Sequence, residues 1–598
     1  MNKKIYQHLS EKSWEKILKW IICEWTWEEF PIFEKEVELM EKISPVFWWK
    51  KFNFPLPKLW PKARAIKRML FRNERSLYKR KSDLSWDNIL SIYPESFEWK
   101  VYSVAEYNSD KFEASKYWIN FDENKNIKEQ IKEFYQNIPK KATNLDDSIW
   151  MENCDYCNFW MGSKDSYMSQ APIASQNCLY SYTPLYSNNI IDWHFMTQSE
   201  NCYDSIWCSK CYKVFYSQSL EESSDCYFSF NLVNCKNCIW CVDLNWKDYH
   251  ILNKKVEKKE FEEKLKNIFS SYENVEQFKK EFEEFKENIP KESVMQINSE
   301  KCFWSGFQNS NNVLLWFDTV DLDNWIYNIL SWMTTNNVYD TYAVWVNVSY
   351  VFNSIWISNS TSSAFWEFSS ANNSYYFRDC RNIENCLFSY WLRNKEFCIF
   401  NKQYTKKEYE ILAPKIIQKL EDEWIWWEFF ETDVSDFPYN DSVADIFYPV
   451  KKLVFLDENK NILKTEINDK NGEGVVYILE SDKFISKAIL DLWWKVKINI
   501  KYRTKNNKIE LPKNMQDVVI CEQSKRPFRL LKQEKEFYKK YNIPNPKLHP
   551  DIRFKNRINK RNKFELFLKE CEDCKEETLT AWEKEKIVCE KCYEKEIY

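Results

Sequence analysis

Glycine is almost missing from this chain. Its 598 residues hold 4 glycines against 30 tryptophans, where ordinary glycine usage near 7% would give roughly forty. Tight turns need positive φ, which glycine adopts without a side-chain clash. Here tryptophan stands in glycine-like contexts: Ser-Ile-Trp at Ser148–Trp150, Ser205–Trp207 and Ser354–Trp356, and Asn-Trp at Asn245–Trp246 and Asn324–Trp325. Abundant Lys, Asn, Ile and Phe point to an AT-rich gene. The expectation is that most of these tryptophans are UGA codons that the organism reads as glycine. No tryptophan is therefore assigned to ligand stacking, and UGG codons at these positions would refute the idea.

Other absences narrow the function classes. Only four histidines occur, His8, His194, His250 and His549, and none sits in a zinc-protease helix. No Gly-rich phosphate loop emerges even when Trp is read as Gly. No apolar run reaches transmembrane length, and the first twenty residues lack a signal-peptide core. A net charge of -4 excludes bulk attraction to nucleic acid and leaves only local patches. Twenty cysteines, in a chain expected to be cytoplasmic with no membrane partner, point to thiols and metal ligation rather than disulfides.

What is present is repetition. Asn153-Cys154, Asn177-Cys178, Asn201-Cys202 and Asp225-Cys226 recur with short β-prone stretches between them. The spacing predicts a β-solenoid with coils of about 24 residues and an internal column of reduced thiols. A longer duplication overlies it. Asn237–Glu262 aligns without a gap to Asn385–Glu410: Leu244, Lys247, Ile251, Asn253, Lys254 and Glu260 match Leu392, Lys395, Ile399, Asn401, Lys402 and Glu408. Amphipathic helices precede the two units, marked by Ile127, Ile131 and Phe134 and by Phe278, Phe282 and Phe285. They are expected to cap open solenoid ends. The chain ends form another related pair, since Phe54–Arg68 resembles Ile543–Arg557. The fold class is thus mainly β: a duplicated β-solenoid with capping helices, flanked by zinc-ribbon-like end modules. The expected domains are a degenerate ribbon-like module over 1–115, helix plus solenoid unit over 116–262, a second such unit over 263–421, a linker and small β-rich domain over 422–515, and a C-terminal ribbon over 516–598.

The strongest chemical motif is C-terminal. Cys571 and Cys574 form one Cys-x-x-Cys knuckle, and Cys589 and Cys592 another. Four thiolates at this spacing suit one structural, tetrahedral Zn²⁺ with no open catalytic position. The N-terminal counterpart carries Ser82, Ser85, Ser103 and Glu106, and Cys23/Thr26 and Cys521/Ser524 are half-sites; no metal is expected at any of these. Two basic runs offer phosphate contacts through Arg64, Lys67, Arg68, Arg72, Arg75, Arg553, Arg557 and Arg561; the bland alternative is a charge-balanced helix face.

With Trp read as Gly, the segments "FPLPK", "RNERSLYKRK", "KRPFRLLKQEKEFYKKYNIPNPKLHPDIR" and "VCEKCYEKEIY", together with the solenoid closings, resemble an uncharacterised zinc-ribbon and Cys-rich repeat family of candidate-phylum bacteria. Some of its members carry a "Caib/baif" label, for whose CoA-transferase chemistry no residue here speaks. The resemblance implies zinc-binding ends and a Cys-rich core, and no established activity. Family members typically bear cysteine pairs where this chain has Cys23/Thr26 and Trp60/Ala63. The reading is a non-enzymatic zinc-binding scaffold for an unidentified protein partner. One alternative is nucleic-acid binding through the basic end modules, and another is an enzyme with a site between solenoid units.

Overall fold

The computed structural model describes the chain apart from residues 1–2, 48, 145–151, 160–161, 294–295, 298–302, 309–310, 345–346, 365–369, 460, 469, 471, 473, 480–485, 493–495, 504–517, 562–564 and 598. Ser148–Trp150, Cys302 and the boundary expected at 515 lie outside the described residues. The N-terminal part begins with α1 (Lys3–Ser13), an antiparallel hairpin (Ile17–Ile22 with Glu29–Phe33), α2 (Glu34–Ile43) and α3 (Pro61–Met69). A second hairpin (Tyr78–Lys81 with Asn88–Ser91), α4 (Val104–Tyr107) and α5 (Ile127–Asn137) follow.

The first repeat region builds two parallel sheets from interleaved strands. Gln176–Leu179, Asn188–Ile191, Glu200–Tyr203 and their successors to Asp248–Ile251 fill one sheet. Tyr182–Leu185 through Val242–Asn245 fill the other. Each strand pairs with the one 12 residues on, as in Asn188↔Gln176, and isolated bridges such as Glu152↔Lys164 extend the same step backwards. The expected 24-residue spacing is therefore corrected: strand pairing repeats every 12 residues. Inward positions of the first sheet run Cys178, Ile190, Cys202, Val214, Cys226 and Cys238, all buried, so the Asn-Cys pairs mark every second step. At the bends, serine hydroxyls do the work of a backbone partner. Ser217 N–H donates to Ser205 Oγ (3.0 Å) and Ser229 N–H to Ser217 Oγ (3.1 Å), each 12 residues apart.

α6 (Lys258–Ile268) closes the first region, with Phe261 edge-on to Tyr249 at 5.7 Å. α7 (Tyr272–Asn288) leads into the second, whose parallel strands run to Cys398–Ile399 with Lys402–Gln403 folded back antiparallel on it, and α8 (Lys406–Asp422) closes it, with Tyr409 5.7 Å from Phe397. After α9 (Val443–Phe447) comes a five-stranded sheet from Val450 to Tyr502, then a hairpin (Val518–Ile520 with Pro527–Arg529), α10 (Lys532–Tyr541), α11 (Pro550–Ile558), a last hairpin and α12 (Glu590–Ile597). No helix among the described residues is long and apolar enough to cross a membrane.

The ends are crossed over the repeats, so that α5 and α7 each lie on the region they do not precede. α5 precedes the first region but lies on the second: Tyr135 Oη donates to Tyr376 O (2.8 Å) and Phe134 meets Phe400 at 5.3 Å. α7 precedes the second but lies on the first, where Phe278 meets Trp240 at 4.9 Å. Short strands tie the ends in the complementary sense. Val101–Tyr102 pairs with Lys140–Lys141 ahead of the first region, and Ile587–Val588 with Lys291–Glu292 ahead of the second.

Backbone angles speak to the tryptophans. Trp14, Trp27, Trp49, Trp86, Trp207, Trp240, Trp246, Trp391, Trp424 and Trp427 all have φ between 53° and 80°. A left-handed L-residue costs about 1–2 kcal/mol. Asn and Asp relieve that cost at many repeat corners, such as Asn177, Asn201 and Asp225, but an indole offers no such relief. Among the described residues, the buried indole N–H groups of Trp193, Trp240, Trp426 and Trp582 have no hydrogen-bond acceptor. Trp246 is 78% exposed, whereas Trp240 is buried against Phe278. Glycine at 27, 86, 246 and 424, where the indoles reach solvent, should stabilise the protein by about 1 kcal/mol per site. Thermal melting of the fourfold variant is expected to shift upward by several degrees; an unchanged or lower midpoint speaks against glycine at these corners.

Candidate metal centre

The last hairpin, Phe567–Glu570 with Glu577–Thr580, projects Cys571 and Cys574 at its tight turn. Cys571 N–H donates to Glu576 O (2.9 Å), Lys575 N–H donates back to Cys571 O (3.1 Å), and Lys575 takes φ 62°. Cys589 stands just before α12 and Cys592 in its first turn. The four sulfurs lie within 4.8 Å of one another. Cys574 Sγ and Cys589 Sγ are 3.7 Å apart, close to the roughly 3.8 Å edge of a tetrahedron with metal–sulfur bonds near 2.3 Å. Burial opposes ionisation of Cys571, but N–H groups of Cys589, Cys574 and Asp573 outweigh it and hold this thiol down to about 6. Cys589 N–H donates to Cys571 Sγ at 3.2 Å. The four cysteines can hold a metal ion.

The same turn occurs three more times. Cys23 N–H donates to Glu28 O and Trp27 N–H to Cys23 O; Ser82 N–H donates to Asp87 O and Trp86 N–H to Ser82 O; Cys521 N–H donates to Arg526 O and Lys525 N–H to Cys521 O. Trp27, Trp86 and Lys525 repeat the left-handed φ of Lys575, at 59°, 65° and 57°. Only the chemistry differs. In the second turn, Glu106 stands where Cys592 stands in the last. Its Oε2 accepts from Ser82 Oγ (2.5 Å) and from Ser103 N–H (2.8 Å), and Ser103 Oγ accepts from Glu106 N–H (3.2 Å). Burial raises the Glu106 carboxyl, but the hydrogen bonds from Ser82, Ser85 and Ser103 prevail and hold it at about 2. In the third turn, Ser524 N–H donates to Cys521 Sγ (3.4 Å), and His549 caps α11 by accepting from Asp551 N–H (3.1 Å).

The basic residues expected to meet phosphates are turned inward. Arg64 Nε lies 2.6 Å from Asp340, and Arg68 reaches Asp340 (3.1 Å) and Asn353 (3.0 Å). Lys67 meets Glu428 at 3.2 Å. Arg72 pairs with Glu74 and lies over Phe159 at 3.6 Å; Arg75 binds Asp551 (3.1 Å) and covers Phe554. At the other end Arg553 meets Asp192 (2.8 Å) and Glu534 (3.3 Å), and Arg557 meets Asp192 (3.0 Å) and Asp204 (3.3 Å). Arg561 lies against Phe195 and 3.4 Å from His194 Nε2. Arg68, Arg72 and Arg557 are at most 2% exposed. Such groups are not presented to a phosphate backbone. The carboxylates that receive them, Asp192 and Asp340 at left-handed corners with φ 56° and 60°, escaped the sequence reading. The one available signal was that Arg64 and Arg68 occupy the same places in their Pro-x-Pro segment as Arg553 and Arg557 in theirs.

No family model matches this chain, and no match was found among curated proteins or solved structures.

Removing a buried partner strands its counter-charge, at about 3–5 kcal/mol. Asp192→Asn is therefore expected to loosen α10 and α11, read as faster amide exchange over Lys532–Ile558; unchanged exchange contradicts the clasp. The Glu106 bonds act in the opposite pH sense to a raised group. Their stabilisation is present above the ordinary carboxyl value of 4.5 and is lost as pH falls toward about 2. Glu106→Gln should expose the amides of Ser82–Trp86 to exchange at neutral pH; wild-type protection there contradicts this role.

Proposed function

We propose that this protein is a non-enzymatic scaffold, a duplicated β-solenoid with a structural zinc ion at its C-terminal end, that presents repeated side chains to a protein partner. The convergence of Cys571, Cys574, Cys589 and Cys592 carries the reading. Four sulfur donors in tetrahedral reach suit zinc, and four protein ligands leave no position for substrate water. The 12-residue pairing step supports the solenoid. It lines up outward side chains in rows, such as Lys210 with Glu222 and Lys213 with Asp225, each at 2.7 Å. Every described cysteine is a free thiol. Nucleic-acid binding loses Arg64, Arg68, Arg72, Arg75, Arg553 and Arg557 to internal ion pairs.

Metal analysis of the purified full chain tests this reading. About one zinc per chain is expected. Cys571→Ser with Cys589→Ser should release it and lower the melting temperature. A chain that is metal-free as purified, takes up no zinc and melts unchanged after the double substitution would overturn the proposal.

A further inference from the structure

The five-stranded sheet over Val450–Tyr502 has one tied edge and one bare edge. Its strands lie in the order Ile462–Ile467, Val450–Leu456, Gly474–Leu479, Ser486–Leu492 and Val496–Tyr502. Val496–Tyr502 leads into Arg503, whose N–H donates to Asn440 Oδ1 (3.1 Å) and whose guanidinium meets Asp441 (2.6 Å). At the other edge, Ile462–Ile467 pairs only with Val450–Leu456 among the described residues and is exposed at every position. Half of its side chains are large and apolar: Ile462, Leu463 and Ile467 are 66%, 47% and 71% exposed. Such an edge offers unpaired N–H and C=O groups to another strand.

The backbone fixes how that strand can be met. Ile467 stands opposite Lys452, and Asn468 N–H donates to Lys451 O (2.9 Å). Backbone groups alternate in direction along an antiparallel strand. Those of Asn468, Glu466 and Lys464 therefore point to the neighbour, and those of Ile467 and Thr465 point outward. An antiparallel second copy must set its own outward residues opposite these. Registers centred on Lys464, Thr465 or Glu466 do so, and registers centred between two residues do not. Charge then selects among the three. A centre at Lys464 sets lysine against lysine, and a centre at Glu466 sets glutamate against glutamate. A centre at Thr465 sets Lys464 of each copy against Glu466 of the other, and Leu463 against Ile467. Within one chain Lys464 and Glu466 already lie 3.1 Å apart, both half-exposed, so the two copies would close a square of alternating charge. The ladder slips at Leu463, which has no partner on Val450–Leu456. A bulge and an edge lysine discourage indiscriminate pairing, and here they leave one register open.

We propose that two copies of this chain join antiparallel through Ile462–Ile467, with the two-fold axis at Thr465, so that their sheets become one continuous sheet. The regular part of the pairing is short, so the association is weak and reversible.

Sedimentation velocity of the full chain from about 2 to 200 µM tests this. A monomer–dimer equilibrium with Kd of about 100 µM or tighter is expected. Lys464→Glu and Glu466→Lys each set like charges across the axis, so each alone should weaken the dimer at least about tenfold. Mixed in equal amounts, the two variants complement each other, and association should return to within about threefold of wild type. A wild-type chain that stays monomeric to about 200 µM, a single variant that dimerises like wild type, or folded variants that do not recover on mixing would overturn the proposal. If either charge variant does not fold, Thr465→Pro decides. The Thr465 N–H points away from the neighbouring strand, so proline removes only the central donor of each copy. Dimerisation weakened at least about tenfold supports the pairing, and unchanged dimerisation overturns it.

Discussion

Two guanidinia closing on one buried carboxylate hold each end of this chain in place. Arg64 and Arg68 bring the N-terminal part onto Asp340, and Arg553 and Arg557 bring the C-terminal part onto Asp192. In both cases the end reaches past its sequence neighbour to the more distant repeat region. A buried ion pair is weak evidence of net stability, since apolar residues could fill the same space. Its strength is selectivity, because any other seating leaves two buried cations without a partner. The rest of the crossed arrangement agrees with it. α5 and α7 each lie on the repeat region they do not precede, and the short strands Val101–Tyr102 and Ile587–Val588 bind the remaining partner segments.

The end modules show one backbone solution carried by different chemistries. Four turns share the same pair of backbone hydrogen bonds and a left-handed residue. In the last, four thiols converge. In the second, a carboxylate and three hydroxyls occupy the place, and the Glu106–Ser82–Ser103 hydrogen bonds do locally what a metal would do. A segment as small and charged as the last module has little core of its own, so cross-linking through an ion suits it. The second turn sits beside a small cluster of buried residues, including Tyr93, Val101 and Ala142, and is held by hydrogen bonds.

Sequence spacing was enough to find the Cys571–Cys592 cluster, because knuckle geometry is local and metal ligands recur at fixed intervals. The strand-rich repeats were legible for the same reason. Their step was misread because alternate inward positions carry Cys178 and Ile190, or Cys202 and Val214, so the visible pattern skips one step. The arginines were legible as a duplicated motif but not in their role. Density of charge along a helix does not reveal a carboxylate some 276 positions away, as Asp340 is from Arg64. Asp192 looked like any other corner residue, since Asn and Asp favour left-handed bends throughout the repeats. The glycine deficit, by contrast, was visible in composition alone, and the left-handed tryptophans give it positions.

The crossed seating of the two ends is open to one direct check: zero-length carbodiimide cross-linking of the full chain, read by mass spectrometry. Three exposed lysine–carboxylate pairs lie within reach: Lys560–Glu283 (3.0 Å), Lys547–Glu273 (2.7 Å) and Lys128–Glu431 (3.2 Å). The first two join the C-terminal module to α7, and the third joins α5 to the chain beyond α8. All three links should appear in the monomeric fraction. Their absence, with Lys547 and Lys560 linked instead to carboxylates of the second repeat region, would contradict the crossed clasps.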